Sequence, residues 1–459
     1  MVEKTYQRLG SKFKYFAQGL IGSLWLPLAL LALVTDAKAQ SISLISDEET
    51  EQLLDKITKP LFDAAGISFK KNNIYIVDDA SLNAFVSDGN RLFVHTGTII
   101  AADSANELSG VIAHETGHIA GGHILRQKLK DREMQEINLV SALLAGTAAA
   151  ASGRGDAAMA VLLGSQSSTL NHYLQYRTSE ERSADEYAVK ALSQTHQSPQ
   201  GILTFMKRIA KQNNLNGVDE TPYFRTHPVT RERISFFEKA LTESAYENKA
   251  QYEEEFARVK AKLFAYLNTP EKTLRKYPLT DNSTAAQYAR AIAAFKKLQF
   301  DTAQQDLDKL LQKEPNNPYF YELKGQIALE TGKPDEAEKY YRRALKLQPN
   351  SALLQISLAQ AIIENTPTQN KLQEAINLLN KSLLVRPMSF SQLLLARAYG
   401  ALGNNAAAQY AAAEYSARIG AVETAKHQAE EAKAANPSAQ LSLKIDDLLL
   451  RLENMTKSN

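Results

Sequence analysis

The chain has 459 residues, 44% hydrophobic and 23% charged, a globular balance with room for two or three cores. Its formal net charge is +2, but residues 1–39 hold five Lys/Arg against two acids, so the remainder carries −1 and has no nucleic-acid footprint. There is no cysteine, which excludes disulfides, thiolate metal sites and cysteine nucleophiles.

Lys4, Arg8, Lys12 and Lys14 precede the apolar run GLIGSLWLPLALLALV, residues 19–34, and then the small-x-small stretch TDAKAQ. This is the layout of a signal peptide, with cleavage expected after Ala39 and an exported mature chain. The rival, an uncleaved anchor, has only a 16-residue run interrupted by Pro27, where about 20 residues are needed to span a bilayer. The residue after the cleavage point is Gln40, so no lipidated cysteine follows it.

Residues 40 to about 100 read as mixed structure. LISDEETEQLLDKITKPLFDAAG has helical spacing, NNIYIVDD is a short strand, and LNAFVSDGNRLFVHTGTII forms two strands around Asp88-Gly89-Asn90. Residues 91–95 are the candidate sheet edge on which an extended substrate would lie. Ser104 and Glu107 have capping-box spacing and open a helix expected to run to about residue 133. The Ala-rich stretch 137–176, with a turn at SGRGD, reads as a packed helical hairpin; the sharper alternative is a hairpin that touches a membrane or covers substrate. A further helix covers RTSEERSADEYAVKAL, residues 177–192.

The last third is repetitive. Pro315 and Pro349 are 34 residues apart, the period of tetratricopeptide repeats. In the clearest unit, residues 321–349, Gly325 and Ala337 let two helices approach while Tyr341 fills the gap. The next spacing, to Pro387, is 38 residues, with the extra length expected in the NTPTQN loop. A degenerate fourth unit and a cap follow.

The chemistry concentrates in VIAHETGHIAGGH, residues 111–123. On a helix, His114 and His118 project about 40° apart, so both imidazoles can reach one ion at the roughly 2.0–2.1 Å of a Zn–N bond. Glu115 flanks that face, where a carboxylate serves as general base in zinc peptidases. His123 is a tempting third ligand, but the metzincin spacing requires position 124, which is Ile124. If the helix continues, His123 points about 180° from His114 and reads as a surface or second-layer residue. The alternative third ligand is a carboxylate in residues 177–192. Glu181 and Asp185 share one helical face, with Glu180 the competitor and a solvated charged face the plain reading.

HETGH followed some sixty residues later by Glu181-x-x-Ala184-Asp185 resembles the metallopeptidase family of the CaaX prenyl endopeptidases and the membrane protease HtpX. The signal peptide, the NAF stretch at 83–85, the THP stretch at 226–228 and the C-terminal repeats resemble its soluble periplasmic branch. The resemblance implies one zinc ion held by His114, His118 and Glu181, with Glu115 as general base and Asp185 in support. His227, which Pro228 biases toward an extended backbone, would approach the metal as a regulatory fourth ligand or a transition-state stabiliser.

The resulting expectation is a mainly α protein. It has a signal peptide (1–39), a zincin-type α+β metallopeptidase domain with a small sheet (40–265) and a tetratricopeptide-repeat solenoid (266–459). By the resemblance it is a periplasmic zinc endopeptidase acting on misfolded or stalled outer-membrane proteins, with the barrel-assembly machinery as partner. A chaperone-like repeat adaptor with a structural zinc is the alternative.

Overall fold

The computed structural model describes residues 43–70, 73–130, 132, 177–216, 223, 226–247, 251–365 and 367–457. The expected signal peptide and Ala-rich hairpin lie outside them. The chain divides into two compact units that meet between Leu263 and Phe264.

In the first unit the strand β1 (Leu44–Ile45) leads into helix α1 (Glu48–Ala64). Asp47 caps α1 by accepting from Thr50 N at 2.9 Å. Leu53, Leu54, Ile57, Leu61 and Phe62 recur at helical spacing and form its buried stripe. Strands β2 (Ile74–Val77), β3 (Ala84–Ser87) and β4 (Arg91–His95) complete a sheet of order β1-β2-β4-β3. β2 and β4 run parallel, while β3 and β4 form an antiparallel hairpin with Ser87 opposite Arg91. β4 is therefore interior, with Phe93 stacked between Tyr75 and Phe85 at 4.9 and 4.8 Å. The expected edge at 91–95 is thus corrected: both its sides are already paired, and among the described residues the edge strands are β1 and β3.

β4 runs straight into helix α2 (Thr96–Ala101), and Ser104 then caps α3 (Ala105–Ala120) by accepting from Glu107 N. α3 is buried over its first fourteen residues and packs against α1, β3 and the later helix Gln200–Asn216. The expected single helix to residue 133 is interrupted. Gly121 ends α3, Gly122 has φ +65°, and a second helical segment occupies 123–130. A positive φ is accessible to glycine at no steric cost, so the chain turns here although the helical spacing continues.

The helical residues 177–194, α4, cross α3 closely. A Cβ at Gly117 would collide with the Ala184 carbonyl, so the absent side chain is what allows this contact. α5 (Gln200–Asn216), α6 (Arg231–Glu243) and α7 (Glu253–Leu267) follow.

The second unit is a run of paired helices. Pro318–Glu330 and Pro334–Leu347 pack so tightly that a Cβ at Gly325 would lie 2.8 Å from the Tyr341 ring. Ala352–Glu364 and Gln369–Val385 repeat the pairing, and one buried core runs continuously from Ala328 to Ala411. The extra residues expected in the NTPTQN loop mostly lengthen the helix after it, which has 17 residues against 14 in the preceding unit. The fold is thus mainly α, with a small sheet in the first half and tetratricopeptide-like repeats in the second.

Candidate metal centre

His114 and His118 project from the same face of α3 with Nε2 atoms 3.2 Å apart. α4 brings Glu181 against both, Oε2 at 3.3 Å from His114 Nε2 and Oε1 at 3.3 Å from His118 Nε2. His227 comes from the segment before α6, and its Nδ1 lies 3.3 Å from His114 Nε2 and 3.0 Å from Glu181 Oε1. All four side chains are buried, and their potential ligand atoms lie within 4.8 Å of one another. Glu180, the competing carboxylate, faces Arg126, its Oε1 3.7 Å from Nε.

Asp185 stands one turn beyond Glu181 on α4, and its Oδ1 is 2.8 Å from His114 Nδ1. In the neutral ring this places the proton on Nδ1 and the lone pair on Nε2, facing the cluster. Arg233, on α6, was not anticipated from the sequence. Its Nε and Nη2 form a fork on Asp185 at 2.7 and 2.8 Å, and its Nη1 reaches Glu181 Oε2 at 2.8 Å. The available signal was chemical: two neighbouring carboxylates, once buried, require a cation. Tyr223 was missed as well; its ring centroid lies 4.8 Å from that of His227, and its hydroxyl is buried without a hydrogen-bond partner among the described residues.

His123 is not a surface residue. It is 2% exposed, with its Nδ1 2.9 Å from His118 Nδ1.

The electrostatics follow from burial opposed by neighbours. Burial disfavours charge on His114, but Asp185 and Glu181 outweigh it and raise its pKa to about 9. Burial lowers His118 and His227. Burial would raise Glu181, yet the facing histidines, His227 foremost, hold it well below the usual carboxylate range. Glu115 is faced by His118 and His114 as well, but for this group burial wins. Burial pushes its carboxyl up to about 7, and its Oε1 has no hydrogen-bond partner among the described residues, with His227 Nε2 at 3.5 Å.

Three buried imidazoles turn ring nitrogens toward one another and toward a single carboxylate. That donor set, nitrogen-rich with one hard oxygen, fits a divalent ion of the zinc type. With the buried Glu115 carboxyl beside it, the arrangement is that of a metalloprotease.

Residues 48–241 match Peptidase family M48, and residues 288–352 match a tetratricopeptide repeat. The chain is thus a metalloprotease with tetratricopeptide repeats, its residues 48–241 similar to that peptidase family, and it resembles the beta-barrel assembly-enhancing proteases. That of Escherichia coli (strain K12) is 26% identical over 372 residues, covering 79% of this chain and 74% of the relative. That of Yersinia pestis is 24% identical, covering 71% and 67%. The metalloprotease LoiP of Escherichia coli (strain K12) is 28% identical over 160 residues, 35% of this chain and 58% of the relative.

Proposed function

We propose that the protein is a periplasmic zinc endopeptidase in which His114, His118 and Glu181 hold one zinc ion per chain and Glu115 is the general base. The observation that carries this reading is the approach of His114 Nε2, His118 Nε2 and both Glu181 oxygens within 3.3 Å, with the buried Glu115 Oε1 alongside and without a hydrogen-bond partner among the described residues.

A bound zinc ion supplies Lewis acidity, polarising a peptide carbonyl and acidifying a water molecule. Glu115 takes a proton from the attacking water and returns it to the departing amine. A carboxyl whose pKa burial brings to about 7 can do both near neutral pH. Asp185 keeps His114 in its binding tautomer, and Arg233 keeps Asp185 and Glu181 charged and in place. His227 caps the resting site as a fourth donor beside Glu181 and withdraws when a client arrives. An extended client pairs with β3, the edge strand next to β4.

The substrates are misfolded or stalled outer-membrane proteins, which the repeats of 266–459 dock, either directly or against the barrel-assembly machinery. Residues 1–39 export the chain and are removed after Ala39, leaving 40–265 as the peptidase domain. The barrel-assembly-enhancing names of the relatives support this choice of client.

The test is casein cleavage by purified mature protein with metal analysis. One zinc per chain and cleavage lost in Glu115→Gln with zinc retained are expected. A Glu115→Gln variant that keeps its cellular role would favour a repeat adaptor with a structural zinc.

A further inference from the structure

We infer that His123 is a positioning residue for the metal, accepting the Nδ1–H of His118 and so holding His118 Nε2 toward His114 and Glu181. This rests on the ligand reading above and extends it to a residue outside the HETGH motif.

The two Nδ1 atoms are 2.9 Å apart, so one of them carries a hydrogen and the other a lone pair. If the hydrogen sat on His123, neutral His118 would carry its own on Nε2, the atom that faces His114 Nε2 at 3.2 Å and Glu181 Oε1 at 3.3 Å. A ring protonated there cannot ligate. The ligating tautomer of His118 therefore requires an acceptor at Nδ1, and His123 supplies it. The hydrogen of His123 then rests on its own Nε2, which is buried without a hydrogen-bond partner among the described residues. Leaving that atom unpaired costs stability, which fits a ring oriented for the bond at its other nitrogen.

The backbone is shaped for the same contact. Gly122, at φ +65°, turns the chain after α3, and a Cβ at Gly121 would fall on the His123 ring. An uninterrupted helix would carry residue 123 to the opposite side of α3 from His114. The two histidines of HETGH are thus backed differently. His114 has the carboxylate of Asp185 at 2.8 Å, and His118 has a neutral imidazole.

The experiment measures zinc affinity of the full mature chain by competition with a chromophoric chelator, alongside the visible spectrum of the cobalt-substituted protein. His123→Phe keeps a ring but offers no acceptor, and is expected to bind zinc about 10- to 100-fold more weakly with an altered cobalt spectrum. His123→Asn places an amide oxygen near the position of Nδ1 and is expected to stay within about 3-fold of wild type, because the acceptor is restored. Gly121→Ala, which displaces the ring, should behave as His123→Phe does. Wild-type affinity in His123→Phe, or an equal loss in His123→Phe and His123→Asn, overturns the inference. His118→Ala separates the two readings: if it binds zinc as wild type does, the ligand assignment itself has failed. If His118→Ala loses zinc while His123→Phe does not, only the role of His123 is wrong.

Discussion

Zinc binding should release a countable number of protons. In the metal-free protein His114 is held at a pKa of about 9 by Asp185 and Glu181 against the opposing effect of burial, compared with an ordinary 6.5. A folded pKa above the unfolded one means that the charged ring stabilises the metal-free fold fully below 6.5, a contribution lost as pH rises through about 9. Ligation needs the neutral ring, so at pH 8 binding should expel about 0.9 proton from His114. At pH 7 the His114 contribution rises to about one. Glu115, pushed by burial to about 7, is half protonated there, and a dication beside it would expel about another half. Release should therefore grow from about 1 proton at pH 8 to about 1.5 at pH 7, with zinc affinity falling roughly 10- to 30-fold, or about 1.4–2 kcal/mol, across that unit. Calorimetric titrations in buffers of different ionisation enthalpy give the proton number directly. Glu115→Gln should keep the pH 8 value and lose the increment at pH 7. Release below about 0.3 proton at both pH values would refute the reasoning, because the ion would then not be displacing the His114 proton.

His227→Ala should retain zinc and raise basal casein cleavage if the ring caps the resting site; lost cleavage with zinc retained would instead assign it a catalytic role. Arg233→Met leaves Asp185 and Glu181 buried without their cation and should cost about 3–5 kcal/mol in denaturant unfolding of the metal-free protein at neutral pH. Burial raises both carboxylates, but Arg233 foremost depresses Asp185, and the facing histidines, His227 first, depress Glu181. The deficit should accordingly shrink once pH falls below the ordinary carboxylate range. In the repeats, Gly325→Ala drives a methyl group against the buried Tyr341 ring. Overpacking of about 1–3 kcal/mol should outweigh the ~1 kcal/mol helix-propensity gain, and the added Tyr341→Leu should relieve it, read by thermal unfolding.

Features legible in the sequence were those encoded within a few residues or at a fixed period. Ser104 and Glu107 mark the start of α3, Asp88-Gly89-Asn90 marks the β3–β4 hairpin, and the 34-residue recurrence marks the paired helices. Hairpin spacing says nothing about the third partner of a strand, which is why β4 read as an edge while β2 covers its other side. The break after α3 was present in the sequence as Gly121-Gly122. Apolar and basic residues continue at helical spacing through the segment 123–130, and that periodicity concealed the turn that returns His123 to His118.

The least legible part is what encloses the cluster. Spacing places residues 181 and 185 on one face of α4, but the approach of Gly117 to Ala184 aims that face at His114 and leaves Glu180 toward Arg126. Such a contact depends on what two helices lack, and an absent Cβ carries no chemical label. Arg233 shows the converse. In HPVTRER it is one of two arginines, of which Arg231 is exposed, and local pattern does not choose between them. The choice is made fifty residues away, by two carboxylates whose burial needs a planar, permanently charged donor that can serve both at once. Electrostatic debt of this kind is a global property of the folded chain. It becomes visible only when each buried charge is asked which opposite charge faces it.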